Sequence, residues 1–279
     1  MRFSHDLFQA LRPKQWVKNL LILAAPASSG RLFDYKLQLM ETFILFCAVS
    51  SIGYLFNDWN DRNLDALHPK KKNRPFASKR MGAWSGIILA SLLVAISTIL
   101  VLRNPQLFVV ALIYLATTLV YTKRFKAIAV LEMVTISFCF VLRAVAGGVS
   151  IGVPLSEWFL VVVSFGALLV VSGKRLAESM RIEDTRRVLT QYSQTFIQGM
   201  LIISSTGTLL GYALWAFSIE KNPTIAKISF APLSLCMLRV YWILDQGKSD
   251  TNEEIIGRDK VLIFALISLF SSLFYVFYF

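Results

Sequence analysis

Residues 57–75 read NDWNDRNLDALHPKKKNRP, and they lie between two apolar runs that are each long enough to cross a bilayer. On a helix with 100° per residue, Asp58, Asp61 and Asp65 fall within an arc of roughly 60°. Like charges this close repel each other unless a cation lies among them. Mg²⁺ prefers one or two carboxylates together with phosphate oxygens and water. The spacing therefore predicts half of a magnesium site, which a phosphorylated substrate would complete.

Cations follow the aspartates directly, in the order Lys70, Lys71, Lys72 and Arg74. Pro69 and Pro75 stiffen this loop, so that it can hold its cations over the metal. The alternative is a solvated acidic helix end followed by a charged loop at the membrane edge, and the spacing favours the metal site. His68, directly before Pro69, is expected to form a hydrogen bond in the loop rather than to bind metal.

The composition is that of a membrane protein with several spans. Hydrophobic residues make up 56% of the 279 residues, and the mean hydropathy is +0.59. The apolar runs are too long and unbroken for the strands of a barrel. The first residues are polar and basic, so no cleavable signal is expected. Cys47, Cys139 and Cys236 lie inside apolar runs and are expected to be small core residues.

We therefore expect an all-α integral membrane protein, a bundle of nine transmembrane helices that forms a single domain over residues 1–279. Pro105, Pro154 and Pro223 break the helical pattern between spans. The predicted spans are residues 16–33, 39–57, 83–102, 106–122, 129–150, 157–173, 196–219, 228–245 and 261–279.

The charge distribution predicts the orientation. With the N-terminus inside, nearly all Lys and Arg residues lie on the cytoplasmic side, as the positive-inside rule requires. The opposite loops carry only Arg31, Lys36, Arg103, Lys221 and Lys227. We expect a multi-pass protein of the cell (inner) membrane whose charged loops face the cytoplasm. The net charge of +12 does not indicate nucleic-acid binding, because the chain has no soluble domain to hold a duplex.

The loop between spans four and five brings Tyr121 and Lys126 to the cytoplasmic face, and Glu132 lies about a turn inside span five. A carboxylate at that depth is costly unless it is paired or hydrated. Glu132 is expected to face the bundle interior, either in a functional site or in a salt bridge with Arg239. Arg143, deeper in the same span, either meets an anionic headgroup or buttresses the bundle.

The loop after span six reads SGKRLAESMRIEDTRR. Lys174 and Arg175 end the span, where cations also suit the helix dipole. Glu178 follows Lys174 by four residues, which is also an ordinary helix pair. Three cytoplasmic loops thus bring cations, and this convergence favours one shared anion site. Tyr192 is expected to reach the same site.

These residues resemble the UbiA superfamily of intramembrane prenyltransferases. Its NDxxDxxxD element is matched by Asn57, Asp58, Asp61 and Asp65, and the match continues through His68, Pro69, Arg74 and Pro75. The likeness is closer to the decaprenyl-phosphate phosphoribosyltransferase branch. The residues that carry this closer likeness are RPKQWVKN at 12–19, Tyr121 with Lys126, LRAVAGG at 142–148 and KRLAE at 174–178. The resemblance implies nine helices around a cytoplasm-facing central cavity that holds the active site.

The resemblance also implies an activity: Mg²⁺-dependent transfer of 5-phosphoribosyl from phosphoribosyl pyrophosphate to a polyprenyl monophosphate. Pyrophosphate is released, and the product would serve the synthesis of cell-wall arabinofuranose donors. The implied catalytic residues are Asp58, Asp61 and Asp65 as metal ligands, Lys126, and Glu132, which stands where that branch commonly has aspartate. The implied substrate contacts are Lys18, Asn57, Lys72, Arg74, Tyr121, Arg143, Lys174, Arg175, Glu178 and Tyr192.

The cations after span six favour the phosphoribosyl donor. Members that use aromatic acceptors resemble one another in a second aspartate-rich loop at this place, where the present chain has Lys174 and Arg175. Phosphoribosyl pyrophosphate carries a 5-phosphate that needs direct cationic contacts in addition to the metal-bound pyrophosphate.

Two alternatives stay open. An aromatic-acceptor polyprenyltransferase that uses a prenyl diphosphate would need Glu178, Glu183 and Asp184 as its second acidic loop. A transporter or flippase for an anionic solute would suit the intramembrane cations Arg143 and Arg239. The sequence also leaves open the length of the lipid tail and whether the chain forms a homo-oligomer.

Overall fold

The computed structural model describes residues 2–69, 71–179, 188–245 and 259–279. The described residues are mostly helical and contain no β-strand. A 3₁₀ helix, Pro13–Leu23, lies between α1 and α2. The α-helices are α1 (Arg2–Leu11), α2 (Ala24–Ser28), α3 (Lys36–Leu67), α4 (Ala83–Arg103), α5 (Leu107–Lys123), α6 (Leu131–Ser150), α7 (Glu157–Ser179), α8 (Gln194–Ser218), α9 (Pro223–Ile228), α10 (Phe230–Asp245) and α11 (Lys260–Tyr278).

The predicted all-α membrane class is confirmed. Within the described residues, seven helical segments are long and apolar enough to cross a membrane, with α9 and α10 counted together, and α5 is a shorter apolar helix. The first predicted span, residues 16–33, differs from a regular α-helix because it consists of the 3₁₀ helix followed by the short α2. The cytoplasm-facing cavity and the single domain stay predictions.

Helix α3 carries the aspartate motif beyond the predicted span of residues 39–57. It has 32 residues, roughly 48 Å at 1.5 Å per residue, which exceeds the hydrocarbon thickness of about 30 Å. We therefore expect the charged end of α3, residues 58–67, to extend past the apolar layer. The helix ends at Leu67 because His68 precedes Pro69 and takes an extended conformation, with φ −88° and ψ 134°.

The chain divides into two compact units. The first comprises Met1–Pro26, Leu32–Phe125 and Leu142–Pro154. In it, α3 packs against α1, the 3₁₀ helix, α4 and α5. A Cβ at Gly53 of α3 would overlap Thr118 of α5, so glycine permits this close approach. A Cβ at Gly147 would overlap the carbonyl oxygen of Ile22, so glycine in α6 permits the close approach of the first 3₁₀ helix.

The second unit comprises Ala27–Arg31, Lys126–Val141 and Leu155–Phe279. Its core lies among α7, α8, α10 and α11, where Leu176, Ile197 and Leu262 are buried. Arg239 of α10 binds the carboxylate of Asp259, with its Nη2 2.8 Å from Oδ2. Asp259 also caps α11 by accepting a hydrogen bond from the Leu262 N–H at 2.8 Å. The hydrogen bond from Arg239 lowers the pKa of Asp259, so the cap remains ionised.

The predicted core positions of the three cysteines agree with the structure. Cys47 and Cys236 are buried, and Cys139 is partly buried.

Candidate active site

Two aspartates of α3 share one arginine in the first unit. Asp58 is 3% exposed and Asp65 is 6% exposed. The Nη1 atom of Arg74 lies 3.2 Å from Asp58 Oδ1 and 2.6 Å from Asp65 Oδ2. Positions seven residues apart lie on one face of a helix, so both carboxylates reach the same cation. The two buried carboxylates are thus held together by the positive charge of Arg74, while the magnesium ion that the sequence analysis expected among the three aspartates stays a prediction.

Arg12 is a second cation on Asp58, and sequence reasoning did not select it. Its Nε donates to Asp58 Oδ2 at 3.1 Å, and its Nη2 donates to Asp58 Oδ1. The guanidinium also lies over the ring of Tyr54, 5.3 Å from the centroid. Arg12 begins the RPKQWVKN segment, so the resemblance pointed at the segment but not at this residue.

Arg80 ties α1 to the loop that carries Arg74. Its Nη2 donates to the carbonyl oxygen of Asn73 at 2.6 Å and to Gln9 Oε1 of α1 at 3.3 Å. Its Nη1 lies 3.2 Å from Asp6 Oδ1, also on α1. Because α1 runs directly into Arg12, Arg80 connects the two segments whose arginines bind Asp58.

Four other candidate site residues of the first unit are less buried than Asp58 and Asp65. Asp61 is partly exposed on α3 and accepts a hydrogen bond from Asn60 Nδ2 at 3.1 Å. Asn57 Oδ1 lies 3.5 Å from Thr122 Oγ1. Lys72 is exposed on the short 3₁₀ helix Lys71–Asn73, whereas Lys18 is partly buried on the first 3₁₀ helix. Lys70 lies outside the described residues.

His68 behaves as the sequence predicted. Its Nδ1 accepts a hydrogen bond from the backbone N–H of Lys71 at 3.3 Å. The histidine therefore shapes the turn that leads from α3 to Arg74.

The donor set of this site fits Mg²⁺. Asp58 and Asp65 offer carboxylate oxygens, the ligands that Mg²⁺ prefers. Arg12 and Arg74 hold these oxygens in the protein itself, so a bound Mg²⁺ would replace guanidinium contacts. No group of three or more His, Cys, Asp or Glu residues close enough to bind a metal occurs in the part of the chain that the structure describes. A magnesium site here would therefore take its remaining ligands from phosphate and water.

A buried ion-pair cluster lies in the second unit. Arg175, on α7, is 1% exposed and forms two parallel hydrogen bonds of 2.7 Å to the carboxylate of Glu132, on α6. Its Nη1 also donates to Glu178 Oε2. The predicted salt bridge between Glu132 and Arg239 is wrong, because Glu132 pairs with Arg175 and Arg239 pairs with Asp259.

Lys174 and Lys126 are placed differently from Arg175. The Nζ of Lys174 lies 4.0 Å from Glu178 Oε1, which is the predicted pair between residues four apart, and the side chain is largely exposed. Lys126 is partly buried on the 3₁₀ helix Phe125–Ala127. The two lysines therefore retain more access to solvent than Arg175 does.

Tyr192 contacts the start of α6. Its hydroxyl accepts a hydrogen bond from the Val130 N–H at 2.7 Å and donates to Glu132 Oε1 at 3.4 Å. Burial raises the pKa of the Tyr192 phenol, so the hydroxyl remains protonated and can donate.

Arg143 and Tyr121 complete the candidates, both in the first unit. Arg143 is buried on α6, where its Nε donates to Asn19 Oδ1 at 2.7 Å and its Nη2 donates to the Tyr114 hydroxyl at 2.5 Å. These contacts favour the predicted buttressing role over the headgroup contact. Tyr121 is partly buried in the last turn of α5. Glu183 and Asp184, which an acidic loop would need, lie outside the described residues.

Comparisons with known proteins agree with this arrangement of helices and motifs. The UbiA prenyltransferase family matches residues 20–267. Decaprenyl-phosphate phosphoribosyltransferase of Mycolicibacterium smegmatis is 35% identical over 92% of this chain and 87% of its own length. The protein of the same name from Mycobacterium tuberculosis is 36% identical over 91% of this chain and 88% of its own length.

A solved structure shows the same fold. The UbiA homolog from Archaeoglobus fulgidus bound to DMAPP and Mg²⁺ superimposes with a TM-score of 0.77. It is 17% identical, and the match covers 96% of this chain and 99% of that one. Together with the apolar helices, these findings indicate a multi-pass membrane protein. The chain belongs to the UbiA prenyltransferase family.

Proposed function

We propose that this protein transfers a 5-phosphoribosyl group from phosphoribosyl pyrophosphate to a polyprenyl monophosphate in the membrane, with release of pyrophosphate. The observation that carries the proposal is the identity of 35–36% with decaprenyl-phosphate phosphoribosyltransferases over more than nine-tenths of the chain. Lys174 and Arg175, near the end of α7 and in place of a second aspartate-rich loop, support the same donor. The enzyme would act as a pentosyltransferase of the cell (inner) membrane with its charged loops in the cytoplasm.

The aspartates of α3 are assigned to the pyrophosphate end of the donor. Asp58 and Asp65 would hold Mg²⁺ together with donor oxygens, and Asp61 is the third candidate ligand. When bound, Mg²⁺ would offset the negative charge that develops on the leaving pyrophosphate. Arg12 and Arg74 supply the positive charge that lets the two buried carboxylates lie close together in the protein itself.

Lys126 and Lys174 are assigned to phosphate groups of the donor, since both are cationic side chains with access to solvent. Arg175 is a weaker candidate than the sequence alone indicated, because its guanidinium already binds two carboxylates. Its role in this proposal is to hold Glu132 in one orientation.

The acceptor phosphate needs no strong general base. A phosphate monoester has its second pKa at about 6, so at neutral pH it is already mostly a dianion and a competent nucleophile. One of its oxygens forms the bond to ribose C1 while the bond from C1 to the pyrophosphate oxygen breaks. The protein contributes by orienting both substrates and by excluding water, which would otherwise hydrolyse the donor.

Radiolabelled phosphoribosyl pyrophosphate tests the reaction directly. Membranes that contain the protein and a polyprenyl phosphate should transfer the ribose label into the organic phase, while a label on the pyrophosphate stays in water. Label that enters sealed vesicles but not the lipid would indicate transport. A requirement for prenyl diphosphate and an aromatic acceptor, with no use of phosphoribosyl pyrophosphate, would indicate the aromatic-acceptor reaction. Either result would overturn the proposed function.

A further inference from the structure

The backbone before α6 is strained at Val130. Its φ of 66° lies in the left-handed region, which β-branched residues rarely adopt. Arg12, Lys79 and Asn222 are the other non-glycine residues with positive φ in the described ranges, and none of them is β-branched. Strain of this kind persists only where the surrounding structure holds it, and it concentrates at functional sites.

Two consecutive residues before α8 hold this segment. The Tyr192 hydroxyl accepts the hydrogen bond from the Val130 N–H, and the Gln191 amide donates to the carbonyl oxygen of Ala127 at 3.4 Å. The Tyr192 ring is itself fixed by stacking on Phe196, with ring centroids 5.4 Å apart and an interplanar angle of 3°. The hydroxyl therefore has a defined position from which to hold Val130.

Val130 connects two candidate functional residues. Lys126 lies on the 3₁₀ helix that precedes it, and Glu132 lies in the first turn of α6. The first turn of α6 is bonded to the residues before it, because the Val134 N–H donates to the Val130 carbonyl oxygen at 3.0 Å and the Glu132 N–H donates to the Ile128 carbonyl oxygen at 3.1 Å. Relaxation of φ at Val130 would therefore change the direction of the chain before α6 and move Lys126 relative to Glu132.

We propose that Tyr192 is a positioning residue whose hydroxyl holds Val130 in the left-handed conformation and so fixes Lys126 relative to Glu132. This role differs from the direct substrate contact that the sequence predicted for Tyr192. Its catalytic consequence rests on the proposed function, in which Lys126 binds a phosphate of the donor. Its structural part concerns only residues 126–132 and the residues that hold them.

Tyr192→Phe keeps the ring and removes only the hydroxyl. We expect its KM for phosphoribosyl pyrophosphate to rise about tenfold, because small misplacements of a binding group have effects of this size or larger. The KM for polyprenyl phosphate and the unfolding temperature in detergent should change little, whereas a general loss of stability would lower the unfolding temperature. Wild-type KM in Tyr192→Phe would overturn the proposal.

A second substitution tests the strain itself. Glycine adopts positive φ readily, so Val130→Gly in the Tyr192→Phe protein should restore KM to within about threefold of the wild-type value. Val130→Ala is the matched control, because it removes the branch but keeps a Cβ, and it should restore less. Val130→Gly alone should leave KM near the wild-type value. If the double variant keeps the raised KM, the hydroxyl does not act through Val130 but on the substrate or through its hydrogen bond to Glu132, and the proposal is overturned.

Hydrogen exchange separates this proposal from the proposed function. In Tyr192→Phe, backbone amides of residues 126–132 should exchange about tenfold faster than in the wild-type protein. Val130→Gly should reverse this change at every amide of the segment except that of residue 130, whose acceptor is missing in Tyr192→Phe. This outcome is expected even if the wild-type protein transfers no phosphoribose, in which case only the proposed function fails. Unchanged exchange in Tyr192→Phe would overturn the positioning role.

Discussion

Asp58→Asn is expected to lower phosphoribosyl transfer by about 10²–10³-fold, the range found when one electrostatic contact to a developing anion is removed. The substitution keeps the size of the side chain but removes the charge that a magnesium ion on the pyrophosphate requires. It leaves the acceptor phosphate and the lysines untouched, so the loss should appear in kcat rather than in the KM for the lipid. Initial rates with labelled donor, at several Mg²⁺ concentrations, measure the effect.

Asp34→Asn is the matched control, because Asp34 is an exposed aspartate in the same unit. It should keep the wild-type rate. The unfolding temperature of Asp58→Asn must also be measured, since the substitution weakens the ion pairs with Arg12 and Arg74. A folded Asp58→Asn protein with the wild-type rate would remove Asp58 from the mechanism.

Arg175→Met is expected to destabilise the protein by about 3–5 kcal/mol, the usual cost of breaking a buried ion pair by removing one partner. Arg175 is 1% exposed, and so is Glu132, so the substitution leaves a buried carboxylate without its guanidinium. Glu178, on the same guanidinium, adds repulsion between like charges. Thermal unfolding in detergent, followed by tryptophan fluorescence, should show a large fall in the unfolding temperature.

The triple variant Arg175→Met, Glu132→Leu and Glu178→Leu separates charge from packing. Replacing every member of a buried ionic group with apolar residues of similar volume is often neutral. The triple variant should therefore recover most of the lost stability, while transfer activity stays low because Glu132 is absent. Arg239→Met is the comparison for a more exposed pair and should cause a smaller loss. Equal stability of Arg175→Met and the wild-type protein would contradict this view of the cluster.

Local features of the structure followed from the sequence. The spacing of Asp58, Asp61 and Asp65 predicted that they share one face if the segment is helical, and all three lie on α3, which continues past the predicted span end at residue 57. Seven-residue separation places Asp58 and Asp65 on one face, where Arg74 contacts both. Pro69 explains the end of α3, because the residue before a proline avoids the helical conformation. Periodicity and proline act over a few residues, so one sequence suffices to read them.

Contacts between residues far apart in the sequence could not be predicted from the sequence. Asp58 and Arg12 are 46 positions apart, and Glu132 and Arg175 are 43 positions apart. A glutamate buried in the membrane needs a cationic partner. From the sequence alone, Arg175 and Arg239 are equally suitable partners for Glu132. Only the packing of α6 against its neighbours decides between them. The strain at Val130 was also hidden, since no sequence signal favours positive φ at valine.

The central claim is that Asp58 and Asp65 hold a divalent metal ion together with the donor. Manganese binding tests this claim most directly, because Mn²⁺ replaces Mg²⁺ in oxygen-ligand sites and is visible by electron paramagnetic resonance. We expect the wild-type protein in detergent to bind Mn²⁺ weakly alone and more tightly with phosphoribosyl pyrophosphate present, after subtraction of Mn²⁺ bound to the donor in buffer. Asp58→Asn and Asp65→Asn should abolish this donor-dependent binding, and Asp34→Asn should retain it. Equal Mn²⁺ binding by the wild-type protein and Asp58→Asn in the presence of the donor would contradict the account.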